Sequence, residues 1–82
     1  MYSTYILLSI KDRRTYVGYS SNLKERLHKH NTGQVKSTKY RRPLKLLLSE
    51  NFKTAQEAKK RELWWKSGAG RRKLKEYFDK EK

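Results

Sequence analysis

The shortness of the chain limits it to one hydrophobic core. A protein of 82 residues buries only about 60% of the surface that its unfolded chain exposes, and a second core would leave both too small. The apolar fraction is only 34%, but six tyrosines, two tryptophans and two phenylalanines supply the bulky groups that disordered chains usually lack. We therefore expect a folded protein with one domain over residues 1–82.

The charge balance is strongly basic. Lysine and arginine number 22 against 8 acidic residues, which gives a net charge of +14. This much like charge repels itself, and a nucleic-acid backbone is the usual polyanion that relieves the repulsion. An anionic membrane would also attract the chain, but no segment places one continuous apolar face opposite a lysine face. The sequence therefore favours nucleic acid as the partner.

Several other classes of site are excluded by composition. Without cysteine the chain has no disulfide, thiolate metal site or cysteine nucleophile, and only His28 and His30 offer imidazole. The apolar run from Tyr5 to Ile10 is too short to span a bilayer, and nothing after it resembles a signal-peptide cleavage site. We expect a cytoplasmic protein.

The first twenty residues have the pattern of a β-hairpin. Residues 4–10 and 14–18 are rich in β-branched and aromatic types, and the polar residues between them suit a turn. If the turn has two or four residues, Tyr5 and Tyr16 lie on one face of the hairpin. The other face then carries Ile6, Leu8, Ile10, Thr15 and Val17.

A helix is predicted over about residues 23–31. Asn22 is a good helix cap, and Glu25, three residues later, can complete a capping box. Gly33 supplies a stop signal. One face of this helix, at spacings of three and four residues, carries Leu23, Arg26, Leu27 and His30.

The rest of the chain has the pattern of a basic loop, a third strand and two helices. Residues 33–43 have the composition of a loop, and residues 44–52 that of a strand. A second capping box at Thr54–Glu57 predicts a helix to about Ser67. Gly68 and Gly70 are expected to interrupt the chain before a short C-terminal helix docks. The docking residues would be Leu74, Tyr77 and Phe78.

Glu62 is an unusual residue in the second of these helices. Ala55, Ala58 and Trp65 follow helical spacing and form an inward stripe, which Glu62 interrupts with a carboxylate. A buried acid needs a partner, and Lys66 at i+4 is the simplest one. The stripe alone does not distinguish that ion pair from a metal ligand.

The order of these motifs resembles the GIY-YIG nuclease superfamily, in particular small stand-alone members similar to the N-terminal domain of the bacterial DNA-repair excinuclease. Ser3-Thr4-Tyr5 stands at the first signature triplet, Tyr16-Val17-Gly18 at the second, and residues 22–27 at the first helix. The resemblance covers nearly the whole chain. It implies an α+β fold, layered, with a three-stranded antiparallel sheet flanked by helices in the order β-β-α-β-α-α.

The resemblance also implies an endonuclease that hydrolyses DNA phosphodiester bonds with one divalent metal, Mg²⁺ or Mn²⁺. By position, the catalytic residues would be Tyr5, Tyr16, Arg26 and His30, and Glu62 would bind the metal. The chemistry suits these residue types. Arginine clamps phosphate, a single carboxylate suits Mg²⁺, and tyrosine acts as a base only if its pKa is lowered or a histidine relays its proton.

DNA contacts are expected mainly from the basic loop, and a partner protein is a candidate source of specificity for so small a domain. Trp64 and Trp65 suit either stacking on bases or, especially for Trp65, packing in the core. Gly18 suits close backbone approach or a strand end. The loop residues assigned to nucleic-acid binding are Lys36, Lys39, Tyr40, Arg41 and Arg42.

Three departures from the family pattern keep a second interpretation open. Ser3 and Thr4 replace the glycine and isoleucine of the first triplet, Tyr19 stands where some relatives carry lysine, and no asparagine follows Glu62. These changes are compatible with a nucleic-acid-binding module that has the fold but little or no catalysis. A protein-interaction domain that uses the basic loop against an acidic partner is a third interpretation.

Overall fold

The computed structural model describes the backbone of residues 1–81 and the side chains of residues 1–77. The elements along the chain are β1 (Tyr2–Ser9), β2 (Thr15–Ser20), α1 (Leu23–Asn31), a 3₁₀ turn (Lys39–Arg41), β3 (Leu44–Phe52), α2 (Ala55–Lys66) and α3 (Gly68–Glu81). The strands form one antiparallel sheet in the order β2-β1-β3. The predicted α+β fold and its order β-β-α-β-α-α are confirmed.

The hairpin register puts the two signature tyrosines on one face of the sheet. Leu7 pairs with Tyr16 and Tyr5 with Gly18, and directly paired residues project to the same side. Ser9 N–H donates to Arg14 O at 2.9 Å, so the turn is residues 10–13, one of the two lengths expected. The prediction that Ile10 lies on the opposite, apolar face is wrong. It lies in the turn and is 45% exposed, because its N–H donates to Pro43 O instead of continuing the strand.

Each face of the sheet has its own apolar cluster. On the face that carries the tyrosines, Tyr5, Leu7 and Leu44 are buried, with Leu23 and Leu27 of α1 packed against them. The central strand β1 contributes to both clusters, which is why it is buried along most of its length. On the other face, α2 and α3 cover a cluster of Ile6, Val17, Trp65 and Leu74.

Helix α1 begins and ends through local hydrogen bonds. Asn22 Oδ1 accepts from Glu25 N–H at 3.1 Å, but Glu25 contacts the Asn22 side chain, not its backbone N–H, which donates to Ser20 Oγ. The reciprocal half of the expected capping box is therefore absent. At the other end, Gly33 at φ 80° and the next residue, Gln34, donate to His30 O and Lys29 O. This is a Schellman ending, and it confirms Gly33 as the stop signal.

The two C-terminal helices meet at a corner different from the one expected. Gly68 and Gly70 do not interrupt the chain before α3; they lie in its first turn. Ser67 ends α2, and its Oγ accepts from Gly70 N–H at 3.4 Å, so one residue caps both helices. Leu74 is buried and Tyr77 Oη donates to Leu47 O at 3.2 Å, as docking requires. The Phe78 side chain lies outside the described residues. Within residues 1–81, no helix is long and apolar enough to cross a membrane.

Candidate active site

Tyr5 is at the centre of the polar cluster on the tyrosine face. Its phenol ring crosses the sheet toward β2 and passes over Gly18, where an added Cβ would lie 2.7 Å from Tyr5 Oη. Any other residue at position 18 would therefore push the phenol away. Gly18 provides close approach, as the sequence indicated, and this directs the buried Tyr5 hydroxyl toward the β2 edge.

A buried hydrogen-bonded chain runs from Tyr5 into the basic loop. Tyr5 Oη and His30 Nε2 are 3.1 Å apart, His30 Nδ1 and Thr38 Oγ1 are 2.8 Å apart, and Thr38 Oγ1 donates to Val35 O at 3.5 Å. Tyr5, His30 and Thr38 are each no more than 1% exposed. The tautomer with its proton on Nδ1 satisfies every group: Tyr5 donates to Nε2, and Nδ1 donates to Thr38.

The electrostatics of this chain favour its neutral form. Burial, followed by the nearby Arg26 cation, lowers the pKa of His30 from 6.5 to about 4, so the imidazole is uncharged at neutral pH. Burial also raises the pKa of Tyr5, although Arg26 opposes the shift. Tyr5 is consequently a protonated hydrogen-bond donor to a neutral histidine, and neither group carries charge near pH 7.

Arg26 supplies the positive charge of the cluster. It projects from α1 toward both tyrosines, and its polar interaction with the Tyr5 hydroxyl raises the pKa of Arg26 further. The guanidinium is therefore always a cation. The rings of Tyr16 and His30 lie edge to face, with centroids 5.0 Å apart, which holds Tyr16 beside the buried chain. Tyr16 is half-buried, so it lies nearer to solvent than Tyr5.

Glu62 approaches the cluster from α2. Its side chain is only 15% exposed, and its charge is close enough to raise the pKa of Tyr5. Glu62 Oε1 lies 3.7 Å from Lys66 Nζ, the ion pair that the i,i+4 spacing allows. Residues 1–77 contain no group of three or more His, Asp or Glu side chains able to hold a metal. This donor set fits Mg²⁺, which needs one or two carboxylates and takes its other ligands from water and phosphate.

The five residues assigned by position thus lie in one region of the fold, whereas the basic loop divides into two groups. Lys36, Lys39 and Tyr40 are exposed, Tyr40 by 77%, with Lys39 Nζ 5.6 Å from the Tyr40 ring centroid. Arg41 instead pairs with Asp12 at 3.0 Å and donates to Thr15 O, which holds the loop against the hairpin. Arg42 Nε donates to Lys39 O at 2.8 Å, a contact within the loop itself.

Sequence reasoning missed Thr38, the second hydrogen-bond partner of His30. It is 0% exposed, in a loop whose composition indicates only solvent-facing residues. No pattern in the sequence distinguishes it, because it follows His30 by eight positions through a segment with no periodic element. Both tryptophans make contacts within the protein. Arg61 lies over the Trp64 ring at 4.2 Å, and Trp65 Nε1 donates to Glu50 at 2.7 Å.

Comparison with known proteins agrees with this arrangement. A sequence model described as the GIY-YIG catalytic domain matches residues 1–76. The chain belongs to the GIY-YIG family. GIY-YIG is a nuclease family, so the coarse functional class is a nuclease domain with nucleic acid as its substrate.

Small bacterial proteins are similar over most of their length to this GIY-YIG chain. It is 43% identical over 70 residues to UPF0213 protein SSP2268 of Staphylococcus saprophyticus, covering 84% of this chain and 85% of that protein. It is 38% identical over 79 residues to UPF0213 protein YazA of Bacillus subtilis, covering 95% and 78%. The NMR structure of UPF0213 protein BH0048 from Bacillus halodurans superimposes with a TM-score of 0.54 at 29% identity, over 94% of this chain and 85% of that one.

Proposed function

We propose that this protein is a metal-dependent endonuclease that hydrolyses DNA phosphodiester bonds. The observation that carries the proposal is the convergence of Arg26 and Glu62, from helices on opposite faces of the sheet, on the two tyrosines at the β2 edge. Phosphodiester hydrolysis needs an activated nucleophile, a cation at the phosphate and stabilisation of the leaving oxygen. The cluster offers one residue of a suitable type for each requirement.

Arg26 binds the scissile phosphate in this proposal. Its guanidinium is a permanent cation that already faces the two phenols, and a planar fork of donors suits phosphate oxygens. Glu62 holds a divalent cation, Mg²⁺ or Mn²⁺, which when bound neutralises the charge that develops on the phosphate. Lys66 competes for the same carboxylate oxygen, so binding of the cation has to displace the ion pair.

The two tyrosines have different roles in this proposal. Tyr5 keeps its proton, donates to His30 and stays in place, so it is a positioning residue that orients the cluster. Tyr16 is half-buried beside Arg26 and is the better group to accept a proton from the attacking water. His30 and Thr38 act through Tyr5, because neither is exposed to solvent or substrate.

The test is cleavage of plasmid, branched and flapped DNA with Mg²⁺ or Mn²⁺. We expect Tyr16→Phe, Arg26→Ala and Glu62→Gln each to lower the cleavage rate by about 100-fold or more, as loss of a proton-transfer group or a charge stabiliser does. Two exposed positions, one on α1 and one on α3, provide controls: Lys24→Ala and Glu76→Gln should retain the rate. Full activity of Glu62→Gln and Arg26→Ala would disprove the mechanism.

Metal binding can be measured without turnover. Titration with Mn²⁺ should broaden backbone NMR signals around Glu62 and Tyr16 in the wild-type protein, and this local broadening should disappear in Glu62→Gln. Lys66→Ala should strengthen binding of Mn²⁺, since it removes the competing cation 3.7 Å from the carboxylate. Broadening spread over the exposed carboxylates in every variant would contradict a site at Glu62.

A nucleic-acid-binding module without catalysis is the second candidate, and the Glu62–Lys66 ion pair is the observation in its favour. That pair already satisfies the carboxylate, so the buried acid does not require a metal. This candidate expects tight, salt-sensitive DNA binding with no cleavage under any divalent cation. Metal-dependent nicking that is lost in Tyr16→Phe would rule it out.

A further inference from the structure

A cavity of about 390 Å³ opens beside the candidate active site on the side away from α1. Tyr16 forms one wall, and its apolar lining consists of Val17, Trp65 and Leu74. These three side chains are each at least 93% buried, so the lining belongs to the core and is preformed. Thr15, Lys66 and Arg71 supply the polar lining. The volume is near the lower end of the range for small-molecule pockets, about 300–1,000 Å³.

We propose that this cavity binds the base and sugar of one unpaired nucleotide adjacent to the scissile phosphate. The proposal rests on the proposed function, because it assumes that DNA lies across Tyr16. The lining matches a nucleotide in its chemistry: an apolar and aromatic floor suits a base, and Lys66 and Arg71 suit the phosphates beside it.

The position and size of the cavity select an unpaired nucleotide over a base pair. Tyr16 is shared by the cavity and the tyrosine cluster, so DNA bound at the cluster brings a neighbouring nucleotide to the opening. A paired base has to leave its stack to enter, which costs a few kcal/mol, whereas a bulged or single-stranded base avoids most of that cost. The predicted substrate class is therefore DNA with an unpaired nucleotide next to the cut.

The experiment measures binding in EDTA, where no cleavage occurs, by fluorescence anisotropy. Three labelled DNAs are compared: a duplex, the same duplex with one bulged thymidine, and the same bulge with an abasic residue. The two bulged DNAs have equal charge and similar flexibility, so only the base differs. We expect the thymidine bulge to bind about 10-fold more tightly than the abasic bulge, a modest effect for stacking on an aromatic wall. Equal affinity for the two bulges would overturn the proposal.

Variants locate the effect. Thr15→Trp fills the cavity from β2 with a residue that strands accept, and it should reduce the preference for the base to less than about 2-fold while duplex binding is kept. Arg71→Ala should also reduce the preference, whereas Arg72→Ala, which removes the same charge from an exposed neighbour, should weaken all three DNAs equally. A preference that survives in Thr15→Trp would place the base elsewhere and overturn the proposal.

Tryptophan fluorescence gives an independent measurement. The chain has two tryptophans, so Trp64→Phe leaves Trp65, in the cavity wall, as the single reporter. Its emission should change with the thymidine bulge and not with the abasic bulge. Because all of these readouts are made without metal, they can succeed even if cleavage is never found, and they can fail even if Glu62-dependent cleavage is found. The two proposals are thus tested separately.

Discussion

At the scale of the residue, the cluster depends on a histidine that stays neutral. His30 has no exposed surface, and both of its ring nitrogens are used, by Tyr5 at 3.1 Å and Thr38 at 2.8 Å. A proton added to Nε2 would remove the acceptor for Tyr5 and place a second cation near Arg26. Burial and Arg26 therefore lower the pKa of His30 to about 4, and the histidine contributes orientation more than proton transfer.

This predicts a specific pH dependence of stability. Below pH 6.5 the unfolded chain protonates His30 while the folded chain does not, so the free energy of unfolding falls as the pH falls, until the folded form also protonates near pH 4. Between pH 6.5 and pH 5 the loss from this residue should be about 2 kcal/mol, measured by urea unfolding.

Variants and NMR separate this effect from other titrations. His30→Gln should be less stable but should lack this component of the pH dependence, whereas His28→Gln, at an exposed position on the same helix, should keep it. If His30→Gln does not fold, the His30 ring can be titrated by NMR in the wild-type protein. A pKa near 6.5 for that ring would contradict the buried chain.

At the scale of the element, the corner between α2 and α3 is the most constrained contact between helices. Gly70 is buried in the first turn of α3 and faces the carbonyls of Trp64 and Trp65, where an added Cβ would overlap the backbone. Gly68, two residues earlier in the same helix, has nothing within 4 Å of such a Cβ. The same substitution at these two positions should therefore have opposite effects on stability.

Gly70→Ala should lower the free energy of unfolding by about 2 kcal/mol or more, because the overlap is with backbone that has to move. Gly68→Ala should leave stability unchanged or raise it by up to about 1 kcal/mol, since alanine is the better helix former. Urea unfolding of both variants measures the difference. Similar stabilities for the two would show that the corner tolerates a side chain.

At the scale of the whole molecule, the charge of +14 governs affinity more than any single contact does. Only four ion pairs are found among the side chains of residues 1–77, and three of the four acidic partners are on β3, α2 or the hairpin turn. Most of the positive charge is thus left for a polyanion. Binding to DNA should be dominated by release of counterions, and this makes it steeply dependent on salt.

The affinity for a short duplex should fall by about 1,000-fold or more between 50 and 200 mM salt if six or more phosphates are contacted. Lys36→Ala should reduce the slope of log affinity against log salt by about one, because Lys36 is an exposed loop residue. Lys36→Arg, which keeps the charge, should leave the slope unchanged. Affinity that does not respond to salt would favour a protein partner over DNA.

Local chemistry explains how much of the fold could be predicted from the sequence. Asn22, Thr54 and Gly33 start or end helices through hydrogen bonds to residues a few positions away, so the bounds of α1, β3 and α2 agree with the predictions to within a residue or so. The start of α3 could not be predicted, because Gly70 lies in a helix to allow contact with α2 and glycine is otherwise a sign of a turn.

The sequence by itself determined the strands, the helices and the faces on which Tyr5, Tyr16, Arg26 and His30 would lie, because side-chain direction follows from a period of two or 3.6 residues. Only the tertiary structure decided the rest. The sheet order β2-β1-β3, the approach of Glu62 from the opposite layer, the Thr38 contact to His30 and the cavity beside Tyr16 all join residues far apart in the chain. Such contacts depend on how whole elements pack, and no local pattern records that.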